Sequence, residues 1–224
     1  MNKKIGVITI GQAPRTDLLP EVERFFSSDV EFIQRGVLDG FGKKELEQIK
    51  PEPNQTTLVS RLKDGTSATM AKEKTLPIIQ QIIDDFNRDQ VHLIIIACTG
   101  EFKLFQSNVP IIYPDYLLNH VAQGIFRNKG KIGVIVPLPE QYESIEKKWQ
   151  AAGFSPTSCA SSPYIYDESS LIKVTNELEK SDISTIVLDC IGYTQDMKDI
   201  VKKHTRKNVI LSRNIVFKNV AELL

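Results

Sequence analysis

Two stretches decide the fold: Val91-His-Leu-Ile-Ile-Ile-Ala-Cys98-Thr-Gly-Glu101, and Ile183-Ser-Thr-Ile-Val-Leu-Asp-Cys190-Ile-Gly-Tyr-Thr194. Each is an apolar, β-branched run that ends in a cysteine and a short polar turn. A continuous apolar run marks a strand covered on both faces, which is the habit of parallel sheets. Each half also opens alike, with Lys4-Ile-Gly-Val-Ile-Thr-Ile10 answered by Lys131-Ile-Gly-Val-Ile-Val-Pro137. Two related halves, each with one thiol at the C-terminal end of a buried parallel strand, place two cysteines across a cleft.

Outward from these runs, short β-branched segments alternate with longer amphipathic ones, the βαβ signature. Strands are expected at Ile5–Ile10, Glu31–Gly36, Leu93–Ala97, Val109–Tyr113, Lys131–Val136, Thr185–Asp189 and Val209–Leu211, with a weaker one at Ser155–Cys159. Helices fit Asp17–Phe26, Lys72–Arg88, Tyr116–Asn128, Glu140–Ala152, Glu168–Lys180, Gln195–His204 and Asn214–Leu224. Ser212 stands where a helix N-cap belongs, and Gly153 where a residue just past a helix end does. The fold class is α/β: two pseudo-symmetric Rossmann-like halves with parallel sheets.

The first half runs longer, and residues 38–70 account for most of the difference. Asp64-Gly65 between Thr57–Leu62 and Ser67–Met70 reads as a hairpin. The expected division is residues 1–114, with the 38–70 insertion and a returning C-terminal helix 213–224, against residues 115–212.

The 224 residues carry 28 basic and 28 acidic side chains, scattered along the chain. No electrostatic footprint for nucleic acid or an anionic membrane results. No apolar run approaches the ~18–20 residues of a membrane span. The opening reads as a strand, not an export signal, so a cytoplasmic location is the expectation. The three cysteines are expected as thiols. His92, His120 and His204 have no ligand spacing, and no metal site is expected.

In an open parallel sheet, ligands gather beyond the carboxyl ends of the strands. Cys98 and Cys190 both fall there. A single cysteine after a strand reads first as a small buried hydrophobe; two in register beside polar turns read as catalytic. A following helix would favour the thiolate, and Thr194 starts one after Cys190. Cys159 has no partner in the other half and reads as structural. The loop Gly11-Gln12-Ala13-Pro14-Arg15 feeds a helix N-terminus and suits an anion, with Arg15 able to fork a carboxylate. Thr99, Gly100, Glu101, Tyr193 and Thr194 are candidates by adjacency to the cysteines, and Tyr113 and Asp115 follow a strand between the halves.

These motifs resemble a known family. Cys98-Thr99-Gly100 and Asp189-Cys190-Ile-Gly-Tyr-Thr194 are similar to the cysteine motifs of the aspartate/glutamate/hydantoin racemase superfamily. Val7-Ile-Thr-Ile-Gly-Gln-Ala-Pro-Arg15, the turn at Cys98–Glu101 and the tail Leu211-Ser-Arg-Asn-Ile215 look more narrowly like the AroM family, nearly end to end. The resemblance implies a site between the halves, no cofactor, and Cys98 and Cys190 as paired acid and base. The chain departs from the amino-acid racemases at Gly11-Gln12 and from glutamate racemases at Gly192, which counts against glutamate as substrate.

The expected function is cofactor-independent racemisation or epimerisation at a carbon next to a carboxylate or carbonyl. One thiolate takes a proton and the opposite thiol gives one. Arg15 and the amides around Thr99 and Thr194 hold the substrate, together with Gly11, Gln12, Gly100, Glu101 and Tyr193. The alternatives are a superfamily isomerase or decarboxylase using one cysteine, or a non-catalytic small-molecule sensor. The expected partner is a small carboxylate, with no nucleic acid or membrane, and a homodimer is left open. Two further expectations are geometric: sulfurs about 7–10 Å apart, and an Arg15 guanidinium free of any internal carboxylate.

Overall fold

In the computed structural model, which describes residues 3–127 and 130–224, the chain folds as α/β. The first half contains β1 (Lys3–Thr9), α1 (Leu19–Val22), β2 (Val30–Gly36), α2 (Lys43–Gln48), β3 (Thr57–Arg61), β4 (Ser67–Ala71), α3 (Lys72–Arg88), β5 (Leu93–Ile96) and β6 (Ile111–Ile112). The rest is α4 (Pro114–Ile125), β7 (Lys131–Val136), α5 (Tyr142–Ala151), β8 (Ser155–Ala160), α6 (Glu168–Glu179), β9 (Thr185–Leu188), α7 (Gln195–Lys203), β10 (Asn208–Leu211) and α8 (Ser212–Ala221).

The two main sheets are all parallel and repeat one order, β2-β1-β5-β6 and β8-β7-β9-β10. The repeat extends to register. Ile5 pairs with Leu93 as Ile132 pairs with Thr185, so Cys98 and Cys190 occupy equivalent positions, two residues beyond the last paired residue of β5 and β9. Both strands are buried throughout, as their unbroken apolar runs require. In each sheet the chain leaves its first strand to opposite sides, so the switch in strand order lies beside the cysteine-bearing strand.

Two helices cross between the halves. Val216, Phe217 and Val220 of α8 pack with Ile5, Val7, Leu93 and Ile95 of the first sheet. Leu118 and Ala122 of α4 pack instead with Ile132, Val134 and Val187 of the second.

The differences from the sequence-based expectations have local causes. The helix expected over 17–26 shrinks to α1 plus a 3₁₀ turn at Glu23–Phe25. Asp17 cannot cap it, because its carboxylate is committed to Arg15. Expected strand 109–113 keeps only the edge pair Ile111–Ile112. Pro110 lacks an N–H, and Tyr113 already caps α4. Ser212 is the first residue of α8, not its cap; its hydroxyl donates to Leu188 O at 2.6 Å. The six-residue α2 was not expected, since it buries no residue and so shows no apolar stripe. The end of the expected helix at Asn128 lies outside the described residues. Gly153 does follow α5 with φ +87°, and Asp64-Gly65 does turn the β3–β4 hairpin.

Candidate active site

Each cysteine hangs from its strand by the same hydrogen bonds. The amide of Ala97 donates to Ile8 O at 2.8 Å, and that of Asp189 donates to Ile135 O at 2.9 Å. Beyond these anchors both turns curl so that the amide two residues on points at the sulfur: Gly100 N to Cys98 Sγ at 3.4 Å, Gly192 N to Cys190 Sγ at 3.3 Å. Both cysteines line one cavity of about 490 Å³.

The cavity walls come from both halves. The β3–β4 hairpin supplies Thr57, Leu58 and Ser60; the second half supplies Gln141, just before α5, and Ser144 and Lys148 within it. Of the residues expected from sequence, Cys98, Thr99, Gly100, Glu101 and Cys190 line it. Five others do not. Gly11 lies where a Cβ would stand 2.0 Å from Arg61 O, so it seats the hairpin. Gln12 fastens the same hairpin, accepting from Lys63 N at 2.9 Å and donating to Leu38 O at 3.2 Å. Tyr193 is buried, with its hydroxyl donating to Ser161 O at 2.7 Å. Thr194 caps α7 by accepting from Met197 N at 3.2 Å.

Arg15 is the fifth, and the expectation of a free guanidinium fails. It is 2% exposed, and its Nε and Nη2 donate to the two Asp17 carboxylate oxygens at 2.7 and 2.6 Å. Burial works against its charge, but Asp17 more than compensates, so it stays protonated. The same contact holds Asp17 below the usual carboxylate range in spite of burial. The cation lies over the Tyr164 ring, 5.9 Å from its centroid. It therefore sits behind the site.

Four residues that sequence reasoning missed build the rest. The Tyr164 hydroxyl lies 3.3 Å from Cys190 Sγ. Lys148, buried in α5, donates to Asp189 Oδ2 at 2.6 Å and to Thr99 O at 3.1 Å, and Trp149 Nε1 donates to the same Asp189 oxygen at 2.7 Å. The Thr99 hydroxyl donates to Asp189 O at 3.2 Å, so one ion pair locks the two cysteine turns together. Arg213, fully buried in α8, donates to Ile191 O at 3.0 Å, Gly192 O at 3.2 Å and Glu21 at 2.8 Å, fixing the second turn to the first half. A lysine or arginine on a helix reads as a solvated face, and only Arg213, within the quoted tail, carried any signal.

The thiols differ electrostatically. Burial pushes Cys98 up to about 12, against its hydrogen bond from Gly100. Burial also holds Cys190 above the ordinary thiol value, although Tyr164, the Gly192 amide and the Arg15 cation offset part of that rise. Among the described residues, no group of three or more His, Cys, Asp or Glu side chains is placed to hold a metal ion, and no helix is long and apolar enough to cross a membrane.

Known structures share this architecture. Unliganded arylmalonate decarboxylase superposes with a TM-score of 0.61 at 13% identity, over 99% of this chain and 92% of its own. The maleate isomerase Iso from Pseudomonas putida S16 gives 0.64 at 13% identity, over 99% and 92%. Glutamate racemase from Francisella tularensis subsp. tularensis SCHU S4, solved in complex with D-glutamate, gives 0.59 at 17% identity, over 100% and 81%. At these identities the likeness establishes the fold. No curated protein matches the chain in sequence. The AroM protein family model matches residues 5–224, end to end across both cysteine turns, and the chain belongs to that family.

Proposed function

We propose that this AroM protein moves a proton across a carbon beside a carboxylate or carbonyl of a small molecule, as a cofactor-independent racemase or epimerase. The observation that carries this reading is that Cys98 and Cys190, equivalent by strand register, line one cavity. A thiolate on one side removes the proton, and the thiol on the other delivers one to the opposite face. In the reverse direction the roles exchange. Charge that develops on the carboxylate or carbonyl oxygens is met by donors of the cavity wall, among them Thr57, Ser60 and Lys72. Lys148 is not one of them in this scheme, since Asp189 holds it.

The unequal surroundings of the sulfurs favour a second reading: an isomerase or decarboxylase in which a single cysteine gives or takes the proton. The decarboxylase and isomerase of the same fold are consistent with either.

One assay tests both readings. Amino acids, hydantoins and 2-substituted dicarboxylates are incubated with the wild type in deuterated water and followed by NMR. The two-thiol reading expects α-deuteration and inversion of at least one compound, with Cys98→Ser and Cys190→Ser each lowering turnover by roughly 10²–10⁴-fold. Turnover that survives one substitution favours the single-cysteine reading. Tight ligand binding with no exchange, indifferent to both substitutions, makes the protein a sensor.

A further inference from the structure

Resting on the two-thiol reading, we propose that Tyr164 is the positioning residue that makes Cys190 the more readily ionised thiol of the pair, leaving Cys98 as the acid. Three features place its side chain against that sulfur. It reaches Cys190 Sγ at 3.3 Å from the loop between β8 and α6, where Ser162 Oγ accepts from the Tyr164 amide at 3.2 Å and sets the loop. Gly192 makes the approach possible, because a Cβ there would stand 2.7 Å from the Tyr164 oxygen. Behind the ring lies the Arg15 cation, which Asp17 and Thr9 fix in place.

Among the described residues this assembly has no counterpart in the first half, where the Gly100 amide donates to Cys98 Sγ. The groups facing Cys190 are Tyr164, Arg15, Tyr193, Asp189 and Cys98. Asp189 opposes a thiolate, but its charge is balanced by Lys148 at 2.6 Å. The phenol donates and keeps its proton: burial and the neighbouring thiol push Tyr164 well above the ordinary tyrosine value. The proton released by Cys190 therefore leaves through the cavity, and the phenolic O–H stabilises the sulfur anion that remains.

The test is alkylation of Cys190 by iodoacetamide as a function of pH, with Cys98 and Cys159 replaced by serine. Tyr164→Phe keeps the ring and removes the donor. A hydrogen bond to a charged group is worth enough to move the midpoint up by about one unit or more, roughly a tenfold loss of thiolate at any pH below it. Gly192→Ala, which crowds the hydroxyl away, is expected to move it in the same direction and serves if the phenylalanine variant fails to fold. An unmoved midpoint in a folded variant overturns the proposal. The measurement needs no substrate, so it separates from the reaction itself. A shifted midpoint without α-deuteration of any compound keeps the pairing and removes the racemase, and deuteration with an unshifted midpoint does the reverse.

Discussion

Immediately before its cysteine the first half carries Ala97 and the second carries Asp189, and most of the difference between the halves follows from that contrast. The methyl of Ala97 joins an apolar cluster with Ile5, Val7 and Ile95. The carboxylate of Asp189 draws Lys148 and Trp149 into the interior and through Lys148 reaches back to Thr99 O. Strand order, register and the amide on each sulfur repeat, whereas the surroundings of the sulfur do not. The first half gives its extra length to a hairpin that walls the cavity, and the second supplies Tyr164 and the ion pair. Duplicated backbone thus places two equal thiols, and unequal side chains make them unlike. That is what proton transfer in one direction at a time requires.

The largest effect expected from breaking this contrast is on stability. Lys148→Met leaves the Asp189 carboxylate buried without its cation, which costs about 3–5 kcal/mol. Urea denaturation measures it, and a loss below about 1 kcal/mol would show that the pair does not lock the two turns.

A second variant sharpens the contrast through charge. Asp115, at the start of α4, is pushed up to about 6 by burial and adds negative potential near Cys98, where Cys190 has Arg15. Its folded-state value exceeds its ordinary 3.8, so the folded protein binds this proton more tightly than the unfolded chain. Stability is therefore greatest below about pH 4 for this group and falls as pH rises to about 6, by roughly 3 kcal/mol. Asp115→Asn is expected to flatten that part of the pH–stability curve; an unchanged slope in urea titrations from pH 4 to 7 would refute it.

The smallest effect belongs to Cys159. In register it corresponds to Arg35 of the first half, and it packs against the cluster around Leu171 and Val174. Cys159→Ala is expected to leave α-deuteration unchanged and to shift stability by about 1 kcal/mol at most; lost exchange would give it a role in the site.

The repeat was legible because it is written in local apolar runs. Ile94-Ile-Ile96 and Ile186-Val-Leu188 admit few structures other than buried parallel strands, and the turns that follow put Cys98–Glu101 and Cys190 in one cavity. Three of the misreadings share one cause. Arg15, Gln12 and Thr194 carry groups that suit a ligand, and each is taken by a neighbour in the chain's own structure: Asp17, Lys63 and Met197. The sequence shows a polar group, not whether a partner already holds it. Lys148 and Tyr164 were hidden for the complementary reason, because only long-range packing brings them to the cysteine turns.

The central claim is that each thiol serves one face of the substrate carbon. The most direct test presents each enantiomer of a turned-over substrate, separately, to Cys98→Ser and to Cys190→Ser in deuterated water. The account predicts that each variant exchanges the α-proton of one enantiomer only, that the two variants choose opposite enantiomers, and that neither inverts. If both variants exchange the same enantiomer, or either still racemises, the two thiols do not act on opposite faces.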